Sequence, residues 1–216
     1  MTKTVLEKIW NQVPPDYYQK GKKKNFLQKL WHGEKWRVLK EFLDKDAKQI
    51  LDVGCAGGHL TILIQKALPK AKVTGLDVYE KSIRFAQKRY KKIKFVAADA
   101  HNLPFKDKTF DTIVSSETLE HVVKPRKVFQ EIRRCLKDDG EIIIEMDTGN
   151  RLFNSIWFFW TKFGPGKVWR NSHLVSFTAD SLERMIIESG FKIKKKKFFN
   201  FGMAVIFKAK KRMKLK

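Results

Sequence analysis

Cysteine is nearly missing from this chain: two in 216 residues, Cys55 and Cys135. With no metal-type spacing around either thiol and no secretory context, a disulfide framework and a cysteine-ligated metal centre are both disfavoured. The five histidines, at 32, 59, 101, 121 and 173, show no paired i, i+4 spacing, so no metal site is predicted. Ser115, Ser116 and the two cysteines lack a partnered His/Asp pattern, which removes hydrolase chemistry. No apolar run approaches the ~20 residues that cross a bilayer. The opening Met1-Thr2-Lys3-Thr4-Val5-Leu6-Glu7 carries no signal-type apolar stretch. The expectation is a cytoplasmic protein.

Acids are scarce too, 23 against 46 Lys and Arg, for a net charge of +23. Residues 191–216 alone hold eleven of those basic residues and no acid. Two readings stand: an electrostatic patch for nucleic acid or an anionic membrane surface, or a lysine-rich solvated tail. Lysine dominates, and there is no arginine-rich reading motif. At 43% hydrophobic the chain can bury a core, and its length suits one α/β domain with a modest appendage.

The densest pattern is Gln49-Ile50-Leu51-Asp52-Val53-Gly54-Cys55-Ala56-Gly57-Gly58-His59-Leu60, an apolar run ending in an acid and followed by a small-residue loop. Such a strand-to-helix turn lets backbone N–H groups approach a bound cofactor closely. The dinucleotide pattern Gly-x-Gly-x-x-Gly fails at Ala56 and His59. The spacing Asp-x-Gly-x-(Gly/Ala)-x-Gly fits, with Asp52, Gly54, Ala56 and Gly58. Lys72 to Asp77 is a second strand pattern ending in an acid, and Ile93 to Asp99 a third. Strand and helix patterns then alternate: 60–68 helical, 80–90 helical, 111–115 strand, 124–136 helical, 141–146 strand, 180–189 helical, with a final strand pair at 191–199 and 203–208. That order predicts parallel strands joined by right-handed crossovers.

The first loop resembles motif I of the S-adenosylmethionine-dependent methyltransferases with a Rossmann-like fold. Leu103-Pro104-Phe105, then Phe110-Asp111 through Ser115-Ser116 to Leu119-Glu120-His121, resembles a block of the type-11 branch of that class. The resemblance covers roughly 50–146 closely and 172–207 more loosely. It implies an α/β, seven-stranded, mostly parallel sheet with helices on both faces, an antiparallel C-terminal hairpin and an N-terminal helical cap. The units expected are a cap at 1–48, a core at 49–209 with an aromatic insert at about 151–171, and a basic tail at 210–216. Within the cap, Thr4–Val13, a segment capped by Asn25, and Glu34–Leu43 read as three helical stretches.

The implied cofactor is S-adenosylmethionine. Asp52 would order the loop, Gly54 and Gly58 would permit close backbone approach, and Asp77 would take ribose hydroxyls. Asp99 would accept from the adenine amino group beside Ala100, Val78 or Tyr79 would pack on the ring, and Ser115 and Ser116 would stand where the methyl-donor pocket opens, Ser115 being taken as the cofactor contact. Ala56 replaces the usual glycine; a positive φ there would cost about 1 kcal/mol. His121 is a general-base candidate because imidazole titrates near neutrality, and His173 lies on the substrate-side loop. Either could instead be structural.

The segment Arg151 to Gly166 contains six aromatic residues. Leu152, Ile156, Phe159 and Phe163 form one helical face, and Phe153, Trp157 and Trp160 a second. Two apolar faces exceed what one packed surface uses. Trp157, Phe158 and Trp160 are therefore expected to form a lid over the acceptor or a surface meeting lipid, against packing alone. The function expected is methyl transfer to a small or hydrophobic, lipid-like acceptor by in-line displacement, with peripheral membrane contact as an extension. RNA methylation through the basic surface and a non-catalytic cofactor-binding role are the alternatives.

Overall fold

The computed structural model describes residues 13–17, 20, 25–169 and 172–212. The predicted helix at Thr4–Val13 therefore lies outside the described residues except for Val13, as do residues 213–216 of the basic tail. Seven strands form one sheet: β1 (Gln49–Val53), β2 (Lys72–Asp77), β3 (Lys94–Ala97), β4 (Phe110–Ser116), β5 (Leu136–Asp147), β6 (Phe191–Phe199) and β7 (Ala204–Lys211). Their spatial order is β3-β2-β1-β4-β5-β7-β6. The first five are parallel, β7 runs antiparallel to β5, and β6 antiparallel to β7. Strand order reverses between β1 and β4, the switch point at which open α/β sheets bind ligands.

Helices α1 (Phe26–Lys40), α2 (His59–Ala67), α3 (Glu80–Arg89), α4 (Pro125–Cys135), α5 (Arg151–Phe163) and α6 (Ala179–Glu188) connect or flank the strands. Alternation along the strands sorts the core into two layers. Leu51, Ile113, Ile142, Ile144 and Phe207 pack with Val128, Phe129 and Ile132 of α4 and Leu182 and Ile186 of α6. Ile50, Val114, Ile143 and Ile206 face the other way, onto Val38 and Leu39 of α1 and Ile64 of α2. A smaller cluster joins Ile83 and Ala86 of α3 to Cys55 and Phe95. Among the described residues no helix is long and apolar enough to cross a membrane.

Three boundaries differ from expectation. The segments expected as two separate helices around 25–43 form the single α1, capped by the Asn25 side chain, which accepts from the Gln28 N–H at 3.1 Å. Gly33 does not break it, since an interior glycine costs only about 1 kcal/mol and the burial of Val38 and Leu39 outweighs that. Strand β5 starts at Leu136 rather than 141, because Phe110 already pairs with Leu136 ahead of a register shift. Strand β7 runs to Lys211, so Lys210 and Lys211 belong to the sheet and not to a tail.

Candidate active site

A cavity of about 540 Å³ opens over the C-terminal ends of β1, β2 and β4. Its floor is the loop after β1, where Gly54, Ala56 and Gly58 all take positive φ, at 79°, 44° and 77°. A Cβ on Gly54 would overlap the Thr118 side chain, which is why this turn excludes larger residues. The N–H groups of Gly54 and Cys55 both donate to the Leu76 carbonyl, at 2.8 and 3.0 Å, tying the loop to β2. Ala56 does occupy the left-handed region, so its methyl carries the expected strain.

Asp77, at the end of β2, accepts from the Ala56 N–H and the Tyr79 N–H, both at 2.8 Å. Burial raises its pKa, and these backbone donors oppose the rise. Each carboxylate oxygen keeps a lone pair for a sugar hydroxyl. Asp52 also lines the cavity and accepts from Thr61 Oγ1 at 2.7 Å, joining β1 to α2. Burial pushes its pKa up to about 7.

Val78, Asp99 and Ala100 line the same cavity. Asp99 is exposed and meets His101 Nδ1 at 2.6 Å. The Lys124 N–H donates to His101 Nε2 at 3.1 Å, so the ring proton sits on Nδ1 and points to Asp99. Ser115 departs from expectation: it is buried within β4 and does not reach the wall, which Ser116, Glu117 and Thr118 form instead. One residue along a strand reverses the side chain's direction. A glycine-lined floor, an acid at the end of β2 and a further acid beyond β3 fit S-adenosylmethionine.

A second cavity, about 200 Å³, adjoins the first; His32, Glu117, His121 and Trp169 line both. Its wall is a chain of aromatic rings. Trp31 meets Phe153 at 6.5 Å, Phe153 stacks on Trp157 at 5.6 Å, and Trp157 stacks on His173 at 5.0 Å. His173 then meets His121 edge-on at 5.1 Å, and His121 stacks on Trp169 at 5.7 Å. Trp157 and Trp160 line this cavity, with the half-exposed Ile156 at its rim, but Phe158 does not; it lies on the solvent side of α5 with Leu152, Phe159 and Phe163. The two faces read from the sequence separate except at Ile156, which was placed with the outer face but borders the cavity, and Phe158 falls outside the cavity-lining one.

Buried charge surrounds the aromatic wall. Lys35 of α1 reaches Glu117 at 2.5 Å and Glu145 at 3.2 Å, and Ser116 Oγ donates to Glu145 at 2.5 Å. Burial opposes the ammonium charge of Lys35, but the two carboxylates outweigh it and raise its pKa. The Lys35 ammonium holds Glu117 below its usual value against burial, whereas burial raises Glu145. Asp147 is pushed up to about 7 by burial and then by Glu117 and Glu145.

His121 Nδ1 lies 2.8 Å from the Ser172 carbonyl. A carbonyl only accepts, so Nδ1 carries the proton and Nε2 keeps a lone pair. Burial lowers the pKa of His121, and burial together with His121 lowers His173 to about 4. Both shifts favour the neutral imidazole. Ligand atoms of Glu120, His121 and His173 come within 4.8 Å of one another, a grouping that sequence spacing did not predict. Lys35, Glu117, Glu120, Glu145 and Asp147 were also not singled out from the sequence; only the carboxylates flanking the Leu119-Glu120-His121 block offered a signal.

Comparison with known proteins agrees with this geometry. The family model described as "Methyltransferase domain" matches residues 44–156. The demethylmenaquinone methyltransferase of Thermotoga maritima is 31% identical, over 80% of this chain and 83% of that protein. The ubiquinone/menaquinone biosynthesis C-methyltransferase UbiE of Campylobacter jejuni is 25% identical, over 94% of this chain and 96% of its own. Among solved structures, a protein of Pyrococcus horikoshii OT3 superposes with a TM-score of 0.71 at 21% identity, covering 88% of this chain and 93% of that one.

Proposed function

The chain belongs to the class I S-adenosylmethionine-dependent methyltransferases, in the type-11 branch, and we propose that its acceptor is a flat, hydroxylated aromatic ring of the quinol type carrying an apolar tail. S-Adenosylmethionine bound over the β1 loop supplies an electrophilic methyl group on a sulfonium. The observation that carries the acceptor reading is the ring-lined second cavity, which shares Glu117, His121 and Trp169 with the cofactor cavity. Trp31, Phe153, Trp157 and Trp160 offer an apolar slot that excludes water from the reacting centre. Leu27 and Ile156 line that slot while being 69% and 50% exposed, so it opens through an apolar rim suited to a lipid-like tail. Relatives named for quinone methylation support the same acceptor class.

In this reading the acceptor's oxygen lies toward the wall that His121 and His173 form, and Asp147 receives its proton. A carboxylate poised near 7 suits that transfer at neutral pH. Exposed apolar residues on α1 and α5 around the rim extend the proposal to peripheral contact with a membrane holding the acceptor. The RNA reading is not favoured: none of the basic residues of 191–212 lines either cavity.

The test is direct. Purified protein, labelled S-adenosylmethionine and a panel of alkylated hydroquinones, naphthoquinols and bulk RNA are incubated, and products are read by mass spectrometry. Methylated quinol, with KM falling as the alkyl tail lengthens, is the expected result. Methylation of RNA with none of any quinol would overturn the acceptor assignment.

A further inference from the structure

We propose that Glu120, His121 and His173 form a binding site for one divalent transition-metal ion on the wall between the two cavities. Two imidazoles and a carboxylate are a donor set suited to zinc, cobalt, manganese or ferrous iron. Their ligand atoms already gather within 4.8 Å, with His121 Nε2 and Glu120 Oε1 3.9 Å apart. Bonds of about 2.1 Å around a tetrahedral ion put ligand atoms roughly 3.4 Å apart, so the widest pair needs to close by at most about 1.4 Å.

Three further observations point to a ligand there. His121 is held by its Nδ1–H on the Ser172 carbonyl, which leaves the unprotonated Nε2 facing Glu120, in the way a hydrogen bond on one ring nitrogen orients the other toward a metal. Glu120 is 3% exposed, and its Oε2 has no hydrogen-bond partner among the described residues. A buried, unpartnered carboxylate oxygen is costly, and a cation removes that cost. The backbone also holds the group together: Leu174 and Val175 donate N–H bonds to the Glu120 carbonyl at 2.7 and 3.1 Å, clamping the His173 segment onto the Leu119–His121 turn. Glu117 and Asp147 line the same cavity; the charge of Glu117 is met by Lys35, and Asp147, when ionised, adds negative charge that favours a dication.

The metal's open position would face the second cavity, where the hydroxyl oxygen of the acceptor is the natural further ligand; that role, though not the site itself, rests on the proposed acceptor. The full chain, stripped with chelator, is titrated with Zn2+ by calorimetry and with Co2+ by visible absorption. One ion per chain is expected, with a Co2+ d–d band of four- or five-coordinate intensity. His173→Ala and Glu120→Gln should each weaken binding at least tenfold while leaving S-adenosylhomocysteine binding intact. Absence of the Co2+ band in the unsubstituted protein overturns the proposal without recourse to any variant, as does unchanged affinity in both variants. Quinol methylation persisting without metal binding sinks this site and spares the acceptor reading. Metal binding with no quinol turnover does the reverse.

Discussion

The two cavities are built in opposite ways. The cofactor cavity is made largely of short, consecutive backbone devices: a glycine turn after β1, an acid ending β2, an acid after β3. The second cavity, proposed for the acceptor, is assembled from α1, the Leu119–His121 turn, the end of β5, α5 and the segment around His173, and its chemistry lies in side chains. A local device tolerates change elsewhere in the chain, whereas an assembled one depends on every element that delivers a residue to it.

The sharpest test of that contrast is Lys35→Ala. It leaves Glu117 and Glu145 as buried carboxylates without their cation, at a cost of about 3–5 kcal/mol, seen as a large drop in the denaturation midpoint. An unchanged midpoint would mean that α1 rests on the core without being pinned to the acceptor side.

Asp77→Ala comes next, on the cofactor side. It strands the Ala56 and Tyr79 N–H groups and any ribose hydroxyls, so affinity for S-adenosylhomocysteine should fall by roughly 1–3 kcal/mol, measured by calorimetry. The aromatic acceptor wall should stay intact, and intrinsic tryptophan fluorescence should be little altered.

The double change Trp157→Ala, Trp160→Ala is expected to leave cofactor affinity within twofold and to cut acceptor turnover about tenfold or more, the scale of an apolar slot losing ring contacts. Collapse of the fold instead would place these rings in the structural core and merge the two regions into one.

Titration separates the regions further. If Asp147 takes the acceptor's proton, turnover rises with pH through a midpoint near its pKa of about 7, and Asp147→Asn removes that limb. Because the folded pKa lies above the ordinary carboxylate value of about 4, ionising Asp147 costs the fold stability. That loss accrues as pH rises from about 4 and is complete above the folded value of about 7. Stability of the Asn variant should therefore fall less between those limits. Identical pH–stability curves for the two proteins would remove Asp147 from the charged cluster.

Smallest of all is Ala56→Gly. Releasing a methyl group at φ 44° is offset by the greater freedom of glycine in the unfolded chain. The net gain should stay below about 1 kcal/mol, with a correspondingly slight tightening of cofactor binding.

Legibility followed the same division. Asp52, Gly54, Ala56, Asp77, Val78, Asp99 and Ala100 all line the first cavity, because strand ends and tight turns carry local signatures; Gly58 lies in the same turn but faces Phe95 and Ala86. Ser115 was misplaced by a single residue, since the end of β4 could not be phased from composition alone. On the acceptor side, the helical period of α5 separated Trp157 and Trp160 from the exposed face, but Phe158 lies nearer the solvent-facing stripe.

Sequence alone determined the strand–helix order, the small-residue turn after β1 and the acids at strand ends, because each depends on residues adjacent in the chain and on backbone sterics. Only tertiary structure decided that Lys35 lies between Glu117 and Glu145, and that Glu120, His121 and His173 share one wall. Those meetings arise from burial and long-range backbone clamps such as the Glu120 carbonyl with Leu174 and Val175, whose energy comes from desolvated partners far apart in the chain.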